Sequence, residues 1–375
     1  MTDATKAGSS ETTYPVRFAS PRRDSAVAVG SSAAGVIRWK AELADGDVER
    51  RDVLIWNGQI LVVTPTAVAL HGKDGALLWQ RAPRAGSPVA IGNDNTYFET
   101  PAHFLQAVRI DDEPSLEDAP LPGISGNDSF LELLWPREKD FIVTATLPDP
   151  KYDAEGSDPE PKPQVFGRRV AYGSRSGAWA AVYTGTLKLA PLFVPEAARW
   201  IVHLDRVISV DVDRDDEKRF DLAVDRVLDW SADPAASLAV LGTVKGKKVV
   251  LQVDAEGVEK WRYVDETRTD VWAEGQPPIG SASGRLVLLT SQRVLAFDAG
   301  KLAWHVDFDR ERPRRGTLLA DGSVLVTSGH TLRKLDAAGA ERFAVALPAD
   351  IVTSPVVDAA GAIYVATASE LFSIR

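Results

Sequence analysis

Along this 375-residue chain a glycine is repeatedly followed, four residues later, by a large aromatic, as in Gly35 and Trp39, Gly75 and Trp79, Gly257 and Trp261, Gly300 and Trp304, Gly339 and Phe343. Where these pairs run on, the aromatics lie 40 (39 to 79), 43 (261 to 304) and 39 (304 to 343) residues apart. A period of this length constrains the fold strongly. Each repeat must be a small unit that hides its apolar face against its neighbours. A second mark keeps the same phase. Asn57-Gly58, Ser283-Gly284, Asp321-Gly322 and Ala360-Gly361 each sit between two apolar runs, as suits a tight hairpin in which glycine supplies a positive φ. Gly58 lies 21 residues before Trp79, Gly284 lies 20 before Trp304, and Gly322 lies 21 before Phe343.

The segments between the marks read as strands. Val53–Trp56, Ile60–Val63, Ala67–Leu70 and Leu77–Trp79 are short apolar runs separated by turn residues. The plan recurs at 285–290, 293–297 and 301–306, and again at 323–327, 331–335 and 341–345. Four strands per unit of about 40 residues is one propeller blade. The expectation is an all-β, eight-bladed β-propeller of four-stranded antiparallel blades. Their extents are 47–85, 86–118, 125–190, 191–226, 227–266, 270–309, 313–348 and 350–375. Seven blades is the alternative, if 125–226 is one unit with long insertions. The last unit has three strands only, and the Gly35 and Trp39 pair has no three strands before it. Residues 36–43 are therefore predicted to supply the missing outer strand and close the ring, which removes exposed strand edges.

Residues 1–34 read as a loose N-terminal tail, and 35–375 as a single propeller domain. Residues 148–164, proline-rich and acidic, read as an insertion loop of the third blade, because proline cannot donate to a strand ladder. The formal net charge is −10. It argues against general binding of nucleic acid or anionic membranes, which needs a positive field. With no cysteine, disulfides, zinc–thiolate sites and thiol catalysis are excluded. There is no basic n-region with an apolar run after it, and no stretch approaching the ~20 apolar residues of a membrane span. A cytoplasmic location is expected, or a periplasmic one if a leader has been removed.

Residues 69–79 resemble the docking motif of quinoprotein-like (PQQ-repeat) propellers, Ala-x-Asp-x-x-x-Gly-Lys-x-x-Trp. Ala69, Gly75 and Trp79 match at full spacing, with His71 where Asp is usual. Ala296, Asp298, Gly300, Lys301 and Trp304 match in type over a segment two residues shorter, and 251–261 keep Gly257 and Trp261. The resemblance covers roughly 47–85 and 229–375. It implies that Gly35, Gly75, Gly257, Gly300 and Gly339 turn the chain into the outer strand. It implies too that Trp39, Trp79, Trp261, Trp304 and Phe343 lie between blades, each burying on the order of 200 Å². Enzymes of this family hold their quinone against an adjacent-cysteine disulfide and a calcium bound by Glu, Asn and Asp. Neither feature can be placed here, so no cofactor and no quinone-dependent dehydrogenase activity are expected. The nearest functional analogue is the bacterial outer-membrane assembly lipoprotein propeller. That protein carries a signal peptide and a lipid-bearing cysteine that this sequence lacks, so an identical role is not expected.

Other candidate sites are weaker. Asp211, Asp213 and Asp215 alternate as in a calcium loop, but Asp216 stands at the glycine position and Leu222 at the glutamate position; a charged hairpin tip between 207–210 and 220–224 accounts for them as well. Arg310-Glu311-Arg312-Pro313-Arg314-Arg315 reads as a solvated inter-blade loop. The histidines, His71, His103, His203, His305 and His330, show no metal spacing. Gly173–Gly177 and Gly280–Gly284 put Arg175 and Ala282 where a nucleophile elbow needs serine. No catalytic residue is assigned. The expected function is a non-catalytic protein-interaction or scaffold module. It would act as a monomer with a protein partner and without nucleic acid. A ligand-binding or enzymatic propeller with a site at the central channel mouth is the alternative.

Overall fold

The computed structural model describes residues 34–43, 52–56, 58–64, 66–84, 88–92, 95–101, 104–109, 117–120, 130–136, 140–147, 164–171, 177–265, 277–280, 284–308 and 311–375. They form eight four-stranded antiparallel sheets. Among the described residues there is no α-helix, only a single 3-10 turn at Pro195–Ala197. Seven sheets are built from consecutive strands, spanning 52–81, 89–120, 130–184, 192–220, 226–265, 279–307 and 313–346. The eighth takes Val356–Val357, Ile363–Ala366 and Glu370–Ile374 from the C-terminus, and its outer strand is Ile37–Glu42. Residues 125–226, which could also be read as one interrupted unit, divide into two separate sheets. Most of the 148–164 segment, and the tail up to residue 33, lie outside the described residues. Gln164 opens the third strand of its sheet, opposite Leu147.

Burial follows strand position. Second and third strands are buried along nearly their whole length, as in Val324–Ser328 and Arg293–Asp298. That pattern belongs to strands covered on both faces, and it is why they read as continuous apolar runs rather than alternating ones. Fourth strands, such as Leu77–Arg81 and Lys301–Asp307, alternate between exposed and half-buried. First strands touch between the first and second, second and third, fourth and fifth, fifth and sixth, sixth and seventh, and eighth and first sheets. One buried cluster runs through Leu325 and Leu332 of the seventh sheet, Ile363 and Phe372 of the eighth, Leu61 and Leu70 of the first, and Phe98 of the second. The N- and C-terminal parts of the chain therefore share one core.

The predicted N-terminal strand pairs as expected. Trp39 stands opposite Ser373 and Ala41 opposite Leu371. Val36 and Arg375 exchange backbone hydrogen bonds of 2.7 and 2.8 Å, so the C-terminal residue is itself part of the ladder.

Candidate functional site

The glycine–aromatic pairs are brought together across sheet boundaries, four of the five aromatics meeting the glycine of the next sheet. A Cβ placed on Gly75 would lie 2.9 Å from the Trp39 indole, on Gly300 2.6 Å from Trp261, on Gly339 2.9 Å from Trp304, and on Gly35 3.1 Å from Phe343. All four glycines have φ between 81 and 88°. Glycine is thus required twice over, once for its left-handed backbone and once for the ring pressed onto its α-carbon. The indole N–H groups of Trp39 and Trp304 donate to the backbone oxygens of Lys73 and Ala337, both in the turn of the next sheet. Trp79 packs against the shared terminal core.

A device invisible in the sequence aims these rings. In six outer strands the ladder slips by one residue immediately before an aromatic. Trp304 pairs with Ala296 while Leu302 pairs with Phe297, leaving Ala303 extra. The same bulge falls before Trp39, Trp79, Trp179, Trp261 and Phe343. A bulge turns the following side chain out of the regular alternation, here toward the neighbouring sheet.

The docking aromatics are half-buried, whereas among the described residues the fully buried indoles are Trp200 and Trp230. These two hold the middle of the chain, where the repeat signature fades. Trp200 of the fourth sheet donates to Thr144 Oγ1 of the third at 2.7 Å, and Trp230 of the fifth donates to the Ala190 oxygen at 2.9 Å. Tyr183 stacks on Trp200 at 5.9 Å, and its hydroxyl donates to Glu217. Burial and then Glu217 push its pKa upward. Phe220 is a further docking ring, pressed onto Gly257. Sequence reading missed it because Asp216, not glycine, stands four residues earlier. Polar ties add to the seams: Arg293 and Asp265 form a buried ion pair at 3.1 Å between the sixth and fifth sheets. Thr317 Oγ1 donates to the Pro355 oxygen at 2.5 Å between the seventh and eighth.

The alternating aspartates form a hairpin tip. Asp211 Oδ1 accepts the backbone N–H groups of Asp213 and Arg214, and Asp215 takes φ 55°. The second arm is Asp216–Phe220, four residues earlier than the sequence suggested, because Asp211–Asp215 closes a tight turn. Among the described residues no group of three His, Cys, Asp or Glu side chains converges as a metal site. Within the basic cluster, Arg314 faces Asp350 at 3.4 Å and Arg315 faces Asp52 of the first sheet at 3.9 Å. His71 is buried, with Nδ1 3.1 Å from the Gly75 oxygen. His203 is buried beside Trp230, and desolvation lowers its pKa to about 4. His103 lies outside the described residues.

A groove of about 560 Å³ lies between the sixth and seventh sheets. Val306, Asp307 and Phe308 form one wall, Arg333, Leu335, Gly339 and Glu341 the other, with Glu311 between them. Arg333 lies over the Phe308 ring at 5.8 Å and pairs with Glu341 at 2.6 Å. His305 is 3.8 Å from Asp307, and His330 is 3.6 Å from Glu311. No repeat mark pointed to this groove, since its charged residues fall at different positions of the two sheets.

Residues 290–374 match a PQQ-repeat family model described as outer membrane protein assembly factor BamB. Among solved structures, the quinohemoprotein alcohol dehydrogenase of Comamonas testosteroni superposes with TM-score 0.61 at 12% identity, over 96% of this chain and 80% of that one. Sqt1 of Saccharomyces cerevisiae gives 0.55 at 9% identity over 94% and 99%. The Dos1 propeller gives 0.52 at 8% over 92% of each. At such identities the likeness is one of fold. No curated protein matches in sequence. Among the described residues no helix is long and apolar enough to cross a membrane.

Proposed function

The chain being a PQQ-like β-propeller that resembles BamB, we propose that it is a non-catalytic scaffold that binds another protein. Its eight sheets act as the blades of one ring, and 36–43 is the clasp. The observation that carries this reading is the run of aromatic-on-glycine contacts from the fourth sheet through the eighth to the first. Such repeated, close-fitting seams make a stiff frame. A stiff frame lowers the ordering cost of binding and leaves recognition to the loops and grooves it displays. The family description, an assembly factor, supports the same reading.

Two experiments test it. Tagged full-length chain purified from its native cells should enrich a protein partner that binds the purified chain again in isolation. A chain that reproducibly enriches none refutes the scaffold role. For the clasp, hydrogen exchange should show slow amides at Val36 and Arg375, and removing residues 1–43 should leave 370–375 unprotected. Unchanged protection there would rule out the clasp.

A further inference from the structure

We infer that one buried water molecule is bound between the fifth and sixth sheets, hydrogen-bonded to the Ser231 hydroxyl and the Gln252 side-chain amide. It belongs to the frame itself, and it stands or falls independently of any partner.

Three observations carry it. First, Ser231 is 1% exposed, and its Oγ, shielded from solvent, has no hydrogen-bond partner among the protein's atoms. A buried hydroxyl left unpaired is costly, and native proteins pair nearly all of them with protein or with ordered water. Second, this hydroxyl faces a cavity of matching size. Ser231 stands opposite Ala239 in the ladder, and Ala239 packs with Leu286, Leu288 and Phe297 of the sixth sheet. That face of the fifth sheet therefore looks across the seam. The cavity there measures about 10 Å³ to water centres, and Ser231, Ser237, Gln252, Gly280 and Arg285 are in its lining. This is the room of about one water, and too little for a larger ligand. Third, the lining holds a complementary group. A buried water needs two or more polar partners. Arg285 is held elsewhere, by Asp298 and by the Gly322 and Ala337 oxygens. Gln252 Oε1 accepts the Trp261 indole N–H at 2.6 Å, which leaves the Gln252 amide NH2 to donate. A water that accepts from this amide can donate to Ser231 Oγ.

The repeat provides an internal comparison. Thr317 holds the corresponding place in the seventh sheet. It stands opposite Leu325, the second residue of its second strand, as Ser231 stands opposite Ala239. Thr317 Oγ1 crosses its seam directly and donates to the Pro355 oxygen. Ser231 makes no such bond, and water completes the equivalent tie.

The test is a high-resolution crystal structure of the full-length chain, together with deuteron magnetic relaxation dispersion in solution, which counts buried waters that stay bound longer than the molecule takes to tumble. Water density should lie ~2.6–3.2 Å from both Ser231 Oγ and Gln252 Nε2. Ser231→Val fills the cavity and removes the hydroxyl, and should lower the solution count by one relative to the parent. Ser231→Ala is the gentler change and should also lower it, because the water is left a partner short. Thr317→Val removes a hydroxyl that bonds protein directly, and should leave the count unaltered. Cooperative urea unfolding and an unaltered far-UV circular dichroism spectrum show that each variant is folded. An empty cavity, or a Ser231 hydroxyl bonded straight to another protein atom, overturns the inference. So does a folded Ser231 variant with the parent's count. An equal fall in Thr317→Val overturns it too, since that would mean looser seams rather than one lost site.

Discussion

Replacing Gly300 by alanine separates the two reasons for glycine at a sheet seam. Gly300 has φ 81°, and an added Cβ would meet Cγ of Trp261 at 2.6 Å and two further indole or Cβ atoms at 2.8 Å. Gly246, in the Lys245-Gly246 hairpin, has φ 77° and no atom within 4 Å of the same position. Both substitutions carry the left-handed backbone penalty of ~1–2 kcal/mol. Only Gly300→Ala also forces the indole away, and overpacking of this kind costs ~1–3 kcal/mol. Gly246→Ala should therefore lose about 1–2 kcal/mol and Gly300→Ala about 2–5 kcal/mol. Urea unfolding followed by tryptophan fluorescence and by far-UV circular dichroism measures both. Coincident transitions license the comparison. Equal losses from the two variants would refute the claim that the ring on the glycine holds the seam.

Three further outcomes follow from the same seams. Arg293→Met strands the buried Asp265 carboxylate and should cost ~3–5 kcal/mol, while Arg293→Met/Asp265→Leu should regain most of it; a double variant as weak as the single one would contradict this. His203 is held to about pH 4 in the folded chain against 6.5 when unfolded. Between these values the unfolded chain binds a proton that the folded chain refuses, so stability is retained above pH 6.5 and falls as pH drops toward 4, by up to ~3 kcal/mol. In a urea series over that range His203→Gln should flatten the slope, and an unaltered slope would show that His203 is not its source. Trp200→Phe removes the donor to Thr144 and should cost ~1–3 kcal/mol by leaving that buried hydroxyl unpaired and a void behind; a change below about 0.5 kcal/mol would deny Trp200 a share in the seam.

The chain's own residues set the repeat. The 40-residue spacing of glycine and aromatic, and the hairpin glycines in phase with it, were legible because they encode local geometry: a positive φ at a fixed place, and one large ring per unit. The strand sets of the marked units, and the pairing of 37–42 with the C-terminal strands, follow from counting those units; between 86 and 226 the marks fade, and counting alone left seven or eight sets open. What lay outside the sequence was where each ring points. That Trp261 meets Gly300 rather than its own Gly257 depends on the bulge before each aromatic and on the approach of the next sheet, neither of which any short stretch encodes. Phe220, Trp200 and Trp230 escaped for a related reason. Their roles come from the sheet packed against them, and no spacing distinguishes a seam residue from a core one. The groove at Phe308 is the extreme case. Asp307, Glu311 and Glu341 are scattered over two sheets and a connection, and only the stacking of those sheets gives them a common cavity.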